Sequence, residues 1–215
     1  MHNKKNNSRY VNVIKLQEQL AKKVVLVDDF AKEIEFVCGV DVSYKNGIAQ
    51  CSAVIVKKNT LEVEEIVKSK SNIEYPYISG LFILRESKPI LHTLKLLKSS
   101  FQLLLIDGHG ILHPRKCGLA SYIGIITNNP AIGVAKSLLC GTIQTDSFVK
   151  YNKDILGYAI KKEGSHKKKM IYVSIGHKIS LLTSVYMVRS LTKKDELIPE
   201  PLRIADISSK ENDNK

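Results

Sequence analysis

The most constraining feature of the sequence is the apolar run Leu103–Ile106, which is followed directly by Asp107-Gly108-His109-Gly110. Four apolar residues without a polar break predict a strand that is buried on both faces, as in a parallel sheet. Open α/β sheets bind their ligands at the carboxyl ends of such strands, which is where Asp107 would lie. Asp-Gly is also a turn dipeptide, so this aspartate alone is equally consistent with a simple strand end.

The segment before this run predicts three consecutive antiparallel strands. Residues alternate with a period of two from Phe36 to Val42, and Asn46-Gly47 is a strong signal for a tight hairpin turn. Residues 51–56 supply the returning strand, and a second turn leads into a third strand at residues 61–67. Asp41 therefore lies on the first strand of a three-stranded meander.

After the meander the sequence predicts alternating helices and strands. Pro89 can occupy the first turn of a helix, and the apolar residues after it have helical spacing. Further helices are predicted over residues 13–24, 119–126 and 179–191, and further strands over residues 131–135 and 170–175. This order is the layout of a ribonuclease H-like α/β fold, a mixed sheet flanked by helices.

In that layout the first and fourth strands are neighbours, so Asp41 and Asp107 would lie side by side. Glu86, at the start of the helix that covers them, could reach the same place. Three converging carboxylates repel one another unless a cation neutralises them, and hard oxygen ligands suit Mg²⁺, with Mn²⁺ as a substitute. The alternative is that each acid is an unrelated surface or capping residue.

The sequence predicts one domain over residues 10–207, with flexible tails at residues 1–9 and 208–215, because both ends are polar and no internal linker is visible. The four cysteines form no CxxC pair, which argues against a zinc site. The chain shows no signal peptide and no apolar stretch of roughly 18 residues, so we expect a cytoplasmic protein without membrane contact.

The charge of the chain favours a polyanionic partner. Thirty-three Lys and Arg residues face 21 Asp and Glu residues, which gives a net charge of +12, and binding of nucleic acid would release counterions. A generally lysine-rich proteome would explain the same excess. The segment Lys161–Lys169 could bind backbone phosphates or form a solvated loop.

Six blocks of sequence carry a resemblance to a known family. They are Val40–Tyr44, Pro76–Gly80 with Phe82–Glu86, Asp107–Arg115, Gly133–Ser137, Ser174–Leu181 and Pro199–Asp206. In this order they closely resemble endonuclease V, and the resemblance covers the chain from about residue 12 to about residue 210.

The resemblance implies a metal-dependent nuclease that acts on DNA or RNA containing inosine, the product of adenine deamination. We expect the protein to be a monomer. Such enzymes cleave one linkage beyond the phosphodiester directly 3′ of the lesion and leave 3′-hydroxyl and 5′-phosphate ends. By the same resemblance Asp41 and Asp107 are metal ligands, and Glu86 is the third catalytic and metal-binding carboxylate. Lys136 and His177 match auxiliary basic residues near the scissile phosphate.

Recognition of the base is expected at a second set of residues. Tyr77 matches an aromatic wedge that enters the base stack beside the lesion. The residues expected around the base are Gly80, Phe82, Gly108, Gly110 and His113. A tight pocket of backbone groups could exclude guanine by leaving its 2-amino group unpaired.

Several interpretations stay open from the residues alone. Tyr77 could anchor the core, His177 could be a cap or a buried core histidine, and Lys136 could be an ordinary lysine at a strand end. Ser79 stands where bacterial members typically carry proline and eukaryotic members, which prefer RNA, carry serine, so the choice between DNA and RNA is open. The chain could also be a ribonuclease H-like nuclease of structure- or flap-directed specificity, or a non-catalytic binding module.

Overall fold

The computed structural model describes residues 2–30, 33–162 and 169–211, with side chains from residue 10 onward. The strands in these ranges are β1 (Phe36–Lys45), β2 (Ile48–Lys57), β3 (Val63–Asn72), β4 (Leu103–Asp107), β5 (Ala131–Ala135), β6 (Thr142–Ile143), β7 (Phe148–Tyr151), β8 (Asp154–Lys161) and β9 (Met170–His177). The helices are α1 (His2–Ala21), α2 (Phe82–Leu94), α3 (Leu119–Thr127), α4 (Leu181–Ser190) and α5 (Glu200–Lys210). None of the helices in these ranges combines the length and the apolar sequence that a membrane span requires.

All of these strands join one sheet in the order β3-β2-β1-β4-β5-β9-β8-β7-β6. The predicted antiparallel meander is confirmed, and Asn46 and Gly47 make its first turn with positive φ angles of 50° and 77°. β1, β4 and β5 run parallel to one another, whereas β9 is antiparallel to β5. The architecture is therefore the expected ribonuclease H-like α/β fold.

β4 is the buried centre of the sheet, as its unbroken apolar sequence predicts. Leu103 and Leu105 pack into the core on one face, Leu104 and Ile106 pack into the core on the other, and all four side chains are fully buried. Helices α4 and α5 cover the first face, and α2 and α3 cover the second. Burial of each such side chain contributes about 1.5–3 kcal/mol, so the end of β4 is a firmly held position.

Helix boundaries differ from the prediction at three points. α2 begins at Phe82, and Pro89 lies inside it, where the missing N–H costs a helical hydrogen bond but the ring is buried against the core. α1 already begins at His2, since a polar sequence does not by itself prevent a helix. α5 extends beyond residue 207 because Ser208 and Ser209 are buried.

A glycine allows α5 to pack directly on β1. A Cβ atom at Gly39 would lie 2.4 Å from the carbonyl carbon of Pro201, so any side chain there would displace the helix. Pro201 itself suits the first turn of a helix, where an N–H would have no helical partner. This close packing brings the last two turns of α5, with Asp206 and Ser209, next to Asp41 on β1; Ser209 Oγ lies 3.4 Å from Asp41 Oδ2.

Candidate active site

The carboxyl ends of β1 and β4 bring two acids together, as the sequence predicts. The strands are parallel neighbours in which Val40 pairs with Ile106, so the following residues, Asp41 and Asp107, lie side by side. Asp41 is buried and Asp107 is half-buried. Two carboxyl groups in contact at low exposure interact strongly, because little water screens them.

Burial and mutual repulsion favour the protonated forms of Asp41 and Glu86. Burial raises the pKa of Asp41, and the charge of Asp107 and a hydrogen bond with it raise that pKa further. Burial also raises the pKa of Glu86 to about 8, although a hydrogen bond from Tyr44, at 2.9 Å, acts in the opposite direction. Asp107 and Asp41 raise the pKa of Glu86 as well, which shows that α2 delivers this side chain to the same cluster.

Lys136 and Asp206 complete the cluster. Lys136 follows β5, and its Nζ lies 2.6 Å from Asp107 Oδ2 and 3.7 Å from Asp206 Oδ1. Burial acts against the ammonium charge, but the neighbouring aspartates outweigh it and raise the pKa of Lys136. Burial also opposes the charge of Asp206, yet Lys210 and Lys136 hold its pKa below the usual value. We call Asp41, Glu86, Asp107 and Asp206 the carboxylate cluster.

The carboxylate cluster has the chemistry of a site for a hard divalent cation. Carboxylate oxygens are the ligands that Mg²⁺ and Mn²⁺ prefer, and a cation would relieve the repulsion that adds to burial in raising the pKa of Asp41 and Glu86. Among the described residues, no three His, Cys, Asp or Glu side chains are arranged closely enough to hold one ion as they stand. The positive charge next to the Asp107 carboxylate is that of the Lys136 ammonium.

A cavity of about 170 Å³ lies beside the cluster. Gly80, Phe82 and His113, three of the residues expected around the base, line it together with Tyr77. His109 and Ser137, close in sequence to Asp107 and Lys136, line its other side. Pockets for drug-sized ligands have about 300 Å³ or more, so this cavity suits a single small group.

A hydrogen-bond network fixes the Gly80 corner of the cavity. The Gly80 carbonyl accepts from Arg115 Nη2 at 2.6 Å, from His113 Nε2 at 3.0 Å and from Gln17 Nε2 at 3.3 Å. The Arg115 backbone N–H donates to His113 Nδ1, which leaves the ring hydrogen on Nε2. Burial lowers the pKa of His113 to about 4, so the ring is neutral and the network is the same across the physiological range.

Tyr77 stands at the rim of this cavity and is 62% exposed. Its only described ring contact is edge-to-face with Phe82, at 5.0 Å between ring centroids. The interpretation of Tyr77 as an anchor of the core is therefore wrong. An exposed aromatic ring at the mouth of a cavity has the position that a wedge between stacked bases requires.

Gly108 and Gly110 do not line the cavity, contrary to the prediction. A Cβ atom at Gly110 would lie 1.9 Å from the carbonyl oxygen of Ile175, and one at Gly108 would contact Leu119. The loop after β4 also donates from the Ile111 N–H to the Ile175 carbonyl oxygen at 2.8 Å. Gly110 is thus required for close packing of this loop on β9.

His177 does not lie with the carboxylate cluster, and its assignment to the scissile phosphate is not supported by its position. It pairs with Ala131 at the start of β5, whereas Asp107 pairs with Val134 near the end. Three residues of strand separate the two positions by roughly 10 Å. His177 is buried and its Nδ1 accepts from the Val25 N–H at 3.2 Å, which fits the alternative of a satisfied core histidine.

Sequence reasoning missed several residues of the site. Asp206 was within one of the resembling blocks, but nothing in its spacing connects α5 to β1, which is far away in the chain. Gln17 and Arg115 support the cavity through the Gly80 carbonyl and through a 2.8 Å hydrogen bond from Arg115 Nε to Gln17 Oε1. Of the segment Lys161–Lys169, residues 163–168 lie outside the described residues.

Comparison with known proteins identifies the family of this chain. The sequence model of the endonuclease V family matches residues 18–207. Endonuclease V of Thermofilum pendens is 38% identical over 195 residues, which cover 89% of this chain and 83% of that protein. The catalytic domain of human endonuclease V is 29% identical, with a TM-score of 0.83 and 94% of each chain covered. Endonuclease V of Ciona intestinalis, in complex with a 23mer DNA containing an inosine followed by a ribo-adenosine, is 29% identical, with a TM-score of 0.82 and coverage of 94% of this chain and 95% of that one. The chain therefore belongs to the endonuclease V family, whose members are nucleases that hydrolyse phosphodiester bonds.

Proposed function

We propose that this protein is an endonuclease that recognises inosine or deoxyinosine in nucleic acid. It cleaves the strand one linkage beyond the phosphodiester directly 3′ of the lesion and leaves 3′-hydroxyl and 5′-phosphate ends. The observation that carries this proposal is the carboxylate cluster with Lys136, next to a small cavity that has an exposed tyrosine at its rim. The inosine-containing DNA bound by the Ciona relative supports the same substrate.

Members of this family generally need a divalent metal, and we assign Mg²⁺, with Mn²⁺ as a substitute, to Asp41, Glu86 and Asp107. Bound there, the cation supplies positive charge that offsets the charge of the phosphate oxygens and favours attack by water. The Lys136 ammonium, held by Asp107 and Asp206, would stabilise the negative charge that develops on those oxygens. Asp206 keeps Lys136 in place and is the fourth acid of the site.

The cavity beside the cluster would hold the extruded base. Hypoxanthine has a ring N–H donor and a carbonyl acceptor but lacks the 2-amino group of guanine. A cavity whose Gly80 corner is fixed by three donors cannot widen easily to accommodate that group. Exclusion of guanine would follow, since its amine would be buried without a partner.

The proposed function is tested by cleavage of matched strands that differ only at one position, inosine or adenosine, prepared as DNA and as RNA. We expect magnesium-dependent cleavage of the inosine strands alone, with the cut at the second phosphodiester 3′ of the lesion. Equal cleavage of both strands, or cleavage set by strand structure, would favour a nuclease of structure- or flap-directed specificity instead.

Tyr77→Ala is expected to reduce cleavage of duplex substrates more than cleavage of single strands. Unstacking a base in a duplex costs a few kcal/mol, and the ring would offset part of that cost by filling the gap. We expect about a tenfold larger loss of kcat/KM on duplex, with an unchanged melting temperature because the ring is exposed. Tyr186→Ala, which removes another exposed tyrosine, on α4, is the matched control. Equal losses on both substrates would contradict the wedge assignment.

We further infer that the protein acts as a monomer in the cytoplasm. The carboxylate cluster and the cavity are both formed within one chain, so a second copy is not needed to complete them. The four cysteines are free thiols, which suits a reducing compartment.

A further inference from the structure

Lys136 and Ser137 are adjacent in the chain, but they line two different surface features, a groove and a cavity. Ser137 borders the base cavity, whereas Lys136 borders a separate groove of about 510 Å³. Residues 170–172 of β9 and residues 196–198 line this groove, together with Lys162 and Lys169. Because Lys136 also pairs with Asp107, the groove begins at the carboxylate cluster.

The groove continues into a second stretch of about 640 Å³ that shares Lys162, Glu196 and Leu197 with the first. Lys161, Arg189 and Lys194 are exposed along this second stretch. Over both stretches, which we call the basic groove, the described lining residues include seven Lys or Arg side chains and two carboxylates, Asp195 and Glu196. Two of the cations are already paired outside the groove, Lys136 with Asp107 and Lys193 with Glu200. A row of cations of this kind favours a polyanion that follows the groove.

The basic groove also contains a guanidinium group that lies over an aromatic ring. The Arg189 guanidinium lies 5.6 Å from the centre of the Tyr158 ring, and both residues line the second stretch. Proteins that bind single strands combine a basic groove with aromatic or guanidinium planes on which bases stack. The chemistry thus fits a nucleic-acid strand better than a small anion.

The direction of such a strand follows from the proposed function, on which this inference rests. With the lesion base in the cavity, the bond to be cleaved lies on its 3′ side at the carboxylate cluster. On the 3′ side of the cluster, Lys136 is then the first basic residue that the phosphates of the strand would contact. We propose that the basic groove binds the strand on the 3′ side of the cleaved bond, over several nucleotides.

Three single-stranded inosine DNAs test this assignment. One ends shortly after the cleaved bond, the second extends the 3′ side by about a dozen nucleotides, and the third places the same extension on the 5′ side. The variant Lys162→Gln/Lys169→Gln removes two groove cations. Lys57→Gln/Lys98→Gln makes the same charge change at the opposite end of the sheet, where Lys57 pairs with Phe36 and the Lys98 N–H contacts Glu65.

The expected result is that the 3′ extension, but not the 5′ extension, raises kcat/KM of the wild type, and that this advantage weakens with salt. Each phosphate contact to a single strand contributes about 0.7 to the slope of log affinity against log salt concentration. Because the groove variant lacks two cations, this slope for its binding of the 3′-extended strand should be smaller by about 1.4. The control variant should keep the wild-type slope.

Two results would overturn the assignment: equal effects of the 3′ and 5′ extensions in the wild type, or equal slopes for the groove and control variants. Cleavage of the short inosine strand by the wild type tests the proposed function separately. If the short strand is cleaved and either of these results is obtained, only the strand-binding role of the basic groove is rejected. If no inosine strand is cleaved, both proposals are rejected.

Discussion

Asp41→Ala and Asp107→Ala are each expected to lower cleavage of an inosine strand by at least about 10³-fold, since each removes a proposed ligand of the catalytic cation. The fold should be retained. Removal of Asp41 from the crowded cluster relieves repulsion that adds to burial in raising the pKa of Glu86, so the melting temperature of metal-free Asp41→Ala should be equal to or above that of the wild type. Asp107→Ala relieves the same repulsion but also loses the ion pair with Lys136, worth about 0–1 kcal/mol at this exposure, so its melting temperature should stay close to that of the wild type.

The matched control is Glu64→Ala, which removes an exposed acid from the edge strand β3 and should keep full activity. Turnover and thermal melting are measured on the same purified variants. Magnesium-dependent turnover near the wild-type rate in Asp41→Ala or Asp107→Ala would show that these acids are not the metal site.

Chelation of divalent cations is expected to abolish cleavage reversibly. It should also make the stability of the fold depend on pH through the carboxylate cluster. Glu86 has a pKa of about 8 in the fold against an ordinary value of 4.5. A carboxyl whose pKa is raised by folding stabilises the fold fully below its unfolded pKa, and this contribution is lost as the pH rises through the folded pKa. The metal-free protein should therefore lose stability from this group between about pH 4.5 and pH 8.

Thermal melting with and without Mg²⁺ checks this expectation. Protons compete with the cation for the same oxygens, so the rise in melting temperature on adding Mg²⁺ should be larger at pH 8 than at pH 6. Each kcal/mol corresponds to about 2–4 °C for a domain of this size. Glu86→Gln should flatten the pH profile of the metal-free protein, and a profile as steep as that of the wild type would contradict the position of Glu86 in the cluster.

The parts of the fold that local pattern determines were predictable. The unbroken run Leu103–Ile106 specifies a central strand, and Asn46-Gly47 specifies the hairpin that fixes the register of the meander. Once the order of strands is known, the meeting of Asp41 and Asp107 follows from the geometry of parallel neighbours. This half of the site depends on backbone pairing, which has a clear signature in sequence.

The parts that depend on long-range packing were not predictable. Asp206 reaches the cluster because Gly39 lets α5 approach β1, and no local pattern links these two segments. His177 lies in a resembling block, but resemblance gives its neighbours in the chain and not its register on β5. Local pattern predicts Pro89 at a helix start because proline is unfavourable inside helices, and only its burial in the core explains its actual place.

The docking of α5 on β1 also determines when the carboxylate cluster is complete. Ser209 contacts Asp41 across 168 residues of chain, and Asp206 reaches Lys136 from the same helix. During synthesis Asp41, Glu86, Asp107 and Lys136 are all made before this helix exists, so Asp206 joins the carboxylate cluster last. A chain made only as far as α4 lacks Asp206 and Ser209, so the carboxylate cluster cannot assemble before α5 has been made.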